Sequence, residues 1–137
     1  MYLGGLVKKK ERTIRVCDCP GAPDTEATLT IRLLSPGERR DVFGEAFKTL
    51  LIADDNGDAK TEVSIDERQA KKKLFNLSVK AWDGFWEDED GKKKLPLTPS
   101  NKAKLIDALP EIIDFVSDEH SKLVDEVEAR KEEEVKN

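Results

Sequence analysis

The sequence predicts an α+β fold: an N-terminal β-hairpin packed on a mainly helical domain of four helices. Three observations carry this expectation. Two short segments near the start alternate apolar and polar residues on either side of a stretch containing Pro20, Gly21 and Pro23. Beyond Ser35 the apolar residues recur at three- and four-residue steps, the period of one helix face. The chain has 137 residues, the size of one domain with an ordinary core.

Residues 1–12 read as a flexible, base-rich N-terminus, with Lys8, Lys9, Lys10 and Arg12 against Glu11. Residues 13–129 read as a single globular domain, and residues 130–137 as a flexible charged C-terminal tail. The first strand is expected over 13–16, where Thr13, Ile14, Arg15 and Val16 alternate. Residues 17–24 form a turn, and residues 27–33 give a second strand with Leu29, Ile31 and Leu33 on one face. A lone hairpin is marginal in water, so it must pack on something else.

Ser35, Pro36 and Glu38 spell a helix start: a capping hydroxyl, a proline at the first helical position and an acid to complete a capping box. Val42, Ala46, Phe47 and Leu50, widened by Phe43 and Leu51, form the apolar stripe of a helix that should end near Ala53, before a polar turn over 54–58. Ser64 and Glu67 repeat the box and begin a second helix, with Ala70, Leu74, Leu77 and Ala81 roughly on one face. Its end is ambiguous, because the run from Leu77 to Trp82 suits a strand as well. A charged loop follows over 87–94. Thr98 and Pro99 open a third helix, with Leu105, Ile106 and Leu109 inward, and Pro110 ends it or restarts it at a new angle. The last helix carries the stripe Ile112, Ile113, Val116, Leu123, Val124 and Val127.

Charged residues make up 39% of the chain, and the formal net charge is −5. An acidic balance argues against nucleic acid as the main partner, since phosphate binding needs basic surface. The triplet Lys71, Lys72 and Lys73 lies on a helix that buries its other side, and Lys92, Lys93 and Lys94 are balanced by the acids before them. No run approaches the ~18 apolar residues of a membrane span. The opening apolar run, from Met1 to Val7, is too short for a signal peptide and precedes the bases rather than following them. A cytoplasmic location and no membrane partner are therefore expected.

Chemistry-bearing residues are sparse. His120 is the only histidine, and it continues an apolar helical spacing rather than joining a catalytic motif. Cys17 and Cys19 are too close for a favourable disulfide loop and lack the further Cys or His that zinc requires. The two acidic loops fail the calcium-loop template: with Gly57 or Gly91 as the turn glycine, Ile52 or Trp86 falls on the first ligand position. No phosphate-cradling glycine loop is present. The expectation is a non-enzymatic protein that uses no cofactor and acts by binding other proteins. Amphipathic helices leave assembly into a homo-oligomer open. The dense aromatic cluster Trp82, Phe85 and Trp86 is either core packing or a binding anchor. Trp86 is the better anchor, because acids follow it directly.

A longer pattern adds to this. Val79-Lys80-Ala81-Trp82-Asp83-Gly84-Phe85 is followed by the acidic loop Asp88-Glu89-Asp90-Gly91-Lys92. Then come the helix start Leu95-Pro96-Leu97-Thr98, the segment from Leu105 to Leu109 and Pro110, Ile113, and the closing Lys136-Asn137. From Val79 onward this layout resembles small tail proteins of long-tailed bacteriophages, in particular tail assembly chaperones. The resemblance implies a small, largely helical protein that binds the tape-measure protein before tail-tube polymerisation and keeps its apolar helices soluble. It implies no cofactor and no catalytic residues, and some members are extended by a ribosomal frameshift. On this reading other phage tail proteins are the partners. The partner helix would lie in a groove lined by Ile112, Ile113, Val116, Leu123 and Val127, with Trp82, Phe85 and Trp86 nearby. A structural tail or head-completion subunit that stays in the virion is the rival expectation, and an unrelated small regulatory binding protein the third.

Overall fold

The computed structural model describes residues 10–44 and 59–136, with side chains described through residue 44 and over 67–129. Strand β1 spans Glu11–Arg15 and begins ahead of the alternation at Thr13. A single 3-10 turn, Val16–Asp18, leads out of it, and strand β2 spans Thr28–Arg32. The two pair antiparallel with Ile14 opposite Leu29 and Thr13 opposite Thr30. Ile14, Leu29 and Ile31 are buried. On the other face the hydroxyls of Thr13 and Thr30 lie 3.1 Å apart.

Helix α1 covers 36–44, and its start is the expected capping box. Glu38 N donates to Ser35 Oγ at 3.1 Å, and Ser35 N donates to Glu38 Oε1 at 3.0 Å. These bonds satisfy donors that a helix N-terminus otherwise leaves unpaired. The remainder of the expected first helix, with Ala46, Phe47, Leu50 and Leu51, and the polar turn over 54–58 lie outside the described residues. So do residues 1–9.

Helix α2 spans Ala59–Ser78. The expected start at Ser64 is corrected: the helix is already formed at Ala59, and Ser64 lies inside it. No proline or glycine separates Ala59 from Ser64, and a capping-box sequence is only a local preference that a continuing helix overrides. The expected stripe is also corrected at its end. Ala70 and Leu74 are buried, but the helix stops at Ser78 and Ala81 is an exposed residue of strand β3, Val79–Asp83.

The sheet therefore has three antiparallel strands in the order β1-β2-β3, rather than a hairpin alone. Trp82 sits opposite Leu29 and Ala81 opposite Thr30, but Ile31 is opposite Val79, with an irregularity that skips Lys80. Simple alternation would set charged Lys80 against buried Ile31. The bulge brings buried Val79 there instead and leaves Lys80 free to pair with Glu11 of β1.

Helix α3 spans Pro99–Ala108, with Asn101 N donating to the Thr98 hydroxyl at 3.1 Å and proline in its first turn. It ends at Ala108, just ahead of Pro110, and Ile106 and Leu109 are buried as expected. Helix α4 then runs over Ile112–Lys136, so its backbone stays helical through the Glu-rich end. It packs against α2 and against β1 and β2. One apolar cluster joins the sheet to α3 and α4 through Ile14, Leu29, Ile31, Phe75, Ile106 and Val116. A second, formed by Leu34, Val42, Ala70 and Leu74, fixes α1 to α2.

Two basic side chains, Arg12 and Lys71, bridge these layers. Arg12, on the core-side face of β1 opposite Ile31, places Nε 3.0 Å from Glu119 Oε2 and donates from Nη1 to Glu126 Oε1 at 2.8 Å. The Glu119 contact is an ion pair without hydrogen-bond alignment. Lys71 of α2 reaches Asp114 of α4 at 2.9 Å, and that carboxylate raises the lysine's pKa.

Candidate functional site

The residues singled out from the sequence separate into two groups. Ile112, Ile113, Val116 and Leu123 are buried. Ile112, Ile113 and Val116 pack against the sheet and Phe75. They belong to the chain's own core, the alternative that an apolar stripe always leaves open, with α2 and the β1–β2 hairpin packed against α4. Val127, farther along α4, is half-buried.

The aromatic cluster stays near the surface. Gly84 follows β3 with φ +79°, and a Cβ there would lie 2.9 Å from Ala27 Cα. Only glycine fits this turn, where the chain leaves the sheet. Residues 85–95 then fold back on themselves. Leu95 N donates to Phe85 O at 2.9 Å, Glu87 N donates to Lys93 O at 2.8 Å, and Trp86 pairs antiparallel with Lys94. What reads as a charged loop is thus a small hairpin. Asp88 shapes its tip: its Oδ1 accepts from Lys92 N at 3.0 Å and from Lys93 N at 3.3 Å. This is the self-bonding turn chemistry for which aspartate is favoured. No group of His, Cys, Asp and Glu able to hold a metal is found among the described residues.

Trp82 and Phe85 stack with ring centroids 4.5 Å apart, and Trp82 Nε1 donates to Leu95 O at 2.9 Å. Both rings are half-buried against the core. Their role is to fix the base of the hairpin, with the indole N–H satisfied. Trp86 is 45% exposed. Its ring lies against Gly91, whose φ is +68°. A large aromatic thus rests near the hairpin tip while much of it meets solvent. Glu87 beside it is paired to Lys93 at 3.1 Å.

Two residues make long-range contacts that the sequence does not mark. His120 is 2% exposed, and its Nε2 accepts from Leu34 N at 3.0 Å. Burial, and then the charges of Arg39 and Arg32, push its pKa down to about 4. It is therefore a neutral structural acceptor with Nδ1 carrying the proton, and it is unsuited to acid–base work in this setting. Lys102 donates to Asn76 O at 2.9 Å, and burial and the charge of Arg32 lower its pKa. No sequence spacing marks either contact. Cys17 is half-exposed, with Arg15 Nη2 3.2 Å from its sulfur, whereas burial raises the pKa of Cys19. The 3-10 turn sends the two thiols into different surroundings. No described helix is long and apolar enough to cross a membrane.

Neither the curated proteins nor the solved structures give a match to this chain. The profile described as YdaY prophage protein matches residues 28–137, which is more than half of the sequence and takes in β2, β3 and every described helix. The chain belongs to the YdaY prophage protein family.

Proposed function

We propose that this prophage protein works by binding another phage protein, and that its role is that of a tail assembly chaperone for the tape-measure protein. The observation that carries the binding reading is Trp86, 45% exposed on a hairpin closed by backbone hydrogen bonds and the Asp88 turn. Tryptophan is enriched at the energetic centres of protein interfaces. The tail-specific part rests on the resemblance from Val79 onward to small phage tail proteins, which includes this hairpin.

Because Ile112, Ile113, Val116 and Leu123 are buried, we take the Trp86 hairpin rather than the apolar face of α4 as the contact surface. Co-expression with fragments of the tape-measure protein tests the role. At least one fragment should become soluble with this chain and lose that solubility with Trp86→Ala. No gain for any fragment contradicts the chaperone reading. A structural subunit kept in the virion is the second reading, and mass spectrometry of purified particles separates the two: a chaperone is absent from them.

A further inference from the structure

The surface between α2 and α3 holds a cleft of about 170 Å³ lined by Lys72, Asn76, Pro99, Lys102, Ala103 and Ile106. Its polar side is cationic in a chain of net charge −5. Lys71, Lys80, Lys93 and Lys122 each sit beside a carboxylate. Among the described residues Lys72 and Lys102 have none, as is also true of Lys92, Lys94 and Lys104, but only Lys72 and Lys102 line a cleft together. Lys102 bonds only a neutral carbonyl, Asn76 O, which occupies one of its three N–H donors. It is nevertheless drawn into the surface far enough for burial to act against its charge, and Arg32 adds to that unfavourable field. A partly desolvated ammonium without a counter-ion is a standing cost that an anion would relieve.

The other side of the cleft is apolar, formed by Pro99, Ala103 and buried Ile106. Such a floor suits the methylene stem of an acidic side chain and gives nothing to a bare phosphate. We infer that this cleft binds a carboxylate on a short aliphatic stem, the side chain of a glutamate or aspartate presented by a protein partner, between Lys72 and Lys102. The site is separate from the Trp86 hairpin and does not depend on the tail role.

The test is an amide NMR titration of the full chain with sodium butyrate, and with inorganic phosphate and butylamine in parallel. Butyrate should move the resonances of Lys72, Asn76, Lys102 and Ala103 saturably and raise the Lys102 pKa. Lys72→Gln and Lys102→Gln should each weaken this by about fivefold, one exposed ion pair's worth. Lys72 is exposed, so Lys72→Gln reads the site even if Lys102→Gln loosens the end of α2. Shifts that do not saturate, equal response to butylamine, or indifference to both variants would overturn the assignment. Phosphate binding as tightly as butyrate would overturn the carboxylate specificity.

Discussion

His120 of α4 accepts a hydrogen bond from the backbone N–H of Leu34, 86 positions earlier in the chain. Leu34 lies at the corner where β2 gives way to α1, and both partners are buried. The bond fastens the corner to the longest helix at a point where the N–H has no partner within the sheet. Removing the imidazole leaves that donor unsatisfied, at about 1–3 kcal/mol, and opens a cavity as well. His120→Ala should therefore destabilise the fold by about 2–4 kcal/mol, read as a lower midpoint in urea unfolding. His120→Gln, which can present an acceptor oxygen, should lose clearly less. Equal losses for the two variants would mean that the bond contributes nothing beyond volume.

The same contact makes stability fall in mild acid. The folded chain holds His120 down at about 4, chiefly by burial, against 6.5 for the free side chain. Its neutral form is favoured in the fold, so this contribution is complete above about pH 6.5 and is lost as pH falls towards 4. At pH 5 the loss is on the order of 1–2 kcal/mol relative to pH 7.5. Glu38 acts lower down. The Arg32 guanidinium, bonded at 2.9 and 2.7 Å, and the backbone N–H of Ser35 hold its carboxyl at about 2. That contribution is present above about pH 4.5 and is lost as pH falls from there towards 2. Unfolding midpoints at pH 7.5, 5 and 3.5 should show two successive losses, and His120→Gln should remove only the first.

Gly84 and Gly91 both have positive φ, yet they predict different costs. At Gly84 an added Cβ meets Ala27 Cα at 2.9 Å and Ala27 N at 3.2 Å. Backbone cannot yield easily there, so Gly84→Ala should cost about 2–3 kcal/mol from left-handed strain and overpacking together. At Gly91 the nearest atom is Trp86 Cε2 at 3.8 Å, an ordinary contact. Gly91→Ala should cost only the backbone strain, about 1 kcal/mol. Thermal unfolding of the two variants side by side checks the difference.

Trp86 and Trp82 should also part ways. Trp82→Ala removes a half-buried ring, its stack on Phe85 and its bond to Leu95 O, and should destabilise by about 2–4 kcal/mol. Trp86→Ala removes an exposed ring and should change stability by less than about 1 kcal/mol. A large loss for Trp86→Ala would assign it to the fold rather than to binding.

The parts of the fold that were legible in the sequence are those whose causes are local. The Ser35–Glu38 box and the Thr98 cap involve residues three apart, so the sequence displays both partners together. The β1–β2 pairing followed from alternation around a Pro/Gly turn. Strand β3 was legible only as an ambiguity, because Leu77 to Trp82 is apolar enough for either structure. The free edge of β2 decides it, and that edge is a tertiary fact. Pairing across the chain was not legible: nothing near His120 points to Leu34, and nothing near Lys102 points to Asn76. The stripe on α4 was read correctly as apolar, but periodicity cannot say whether such a face meets a partner or the chain's own sheet. Of the aromatic cluster, the acids after Trp86 did point to the more exposed ring, while the hairpin that holds it depended on Asp88 turning back on Lys92 and Lys93.

The central claim is tested most directly by a pull-down from cells that also express the prophage's tail genes, using the wild-type chain and Trp86→Ala, with captured proteins identified by mass spectrometry. The account predicts that wild type recovers the tape-measure protein and that Trp86→Ala, folded to the same stability, does not. Equal recovery by both chains would contradict the Trp86 surface, and recovery of tube or head proteins in place of the tape-measure protein would contradict the chaperone role.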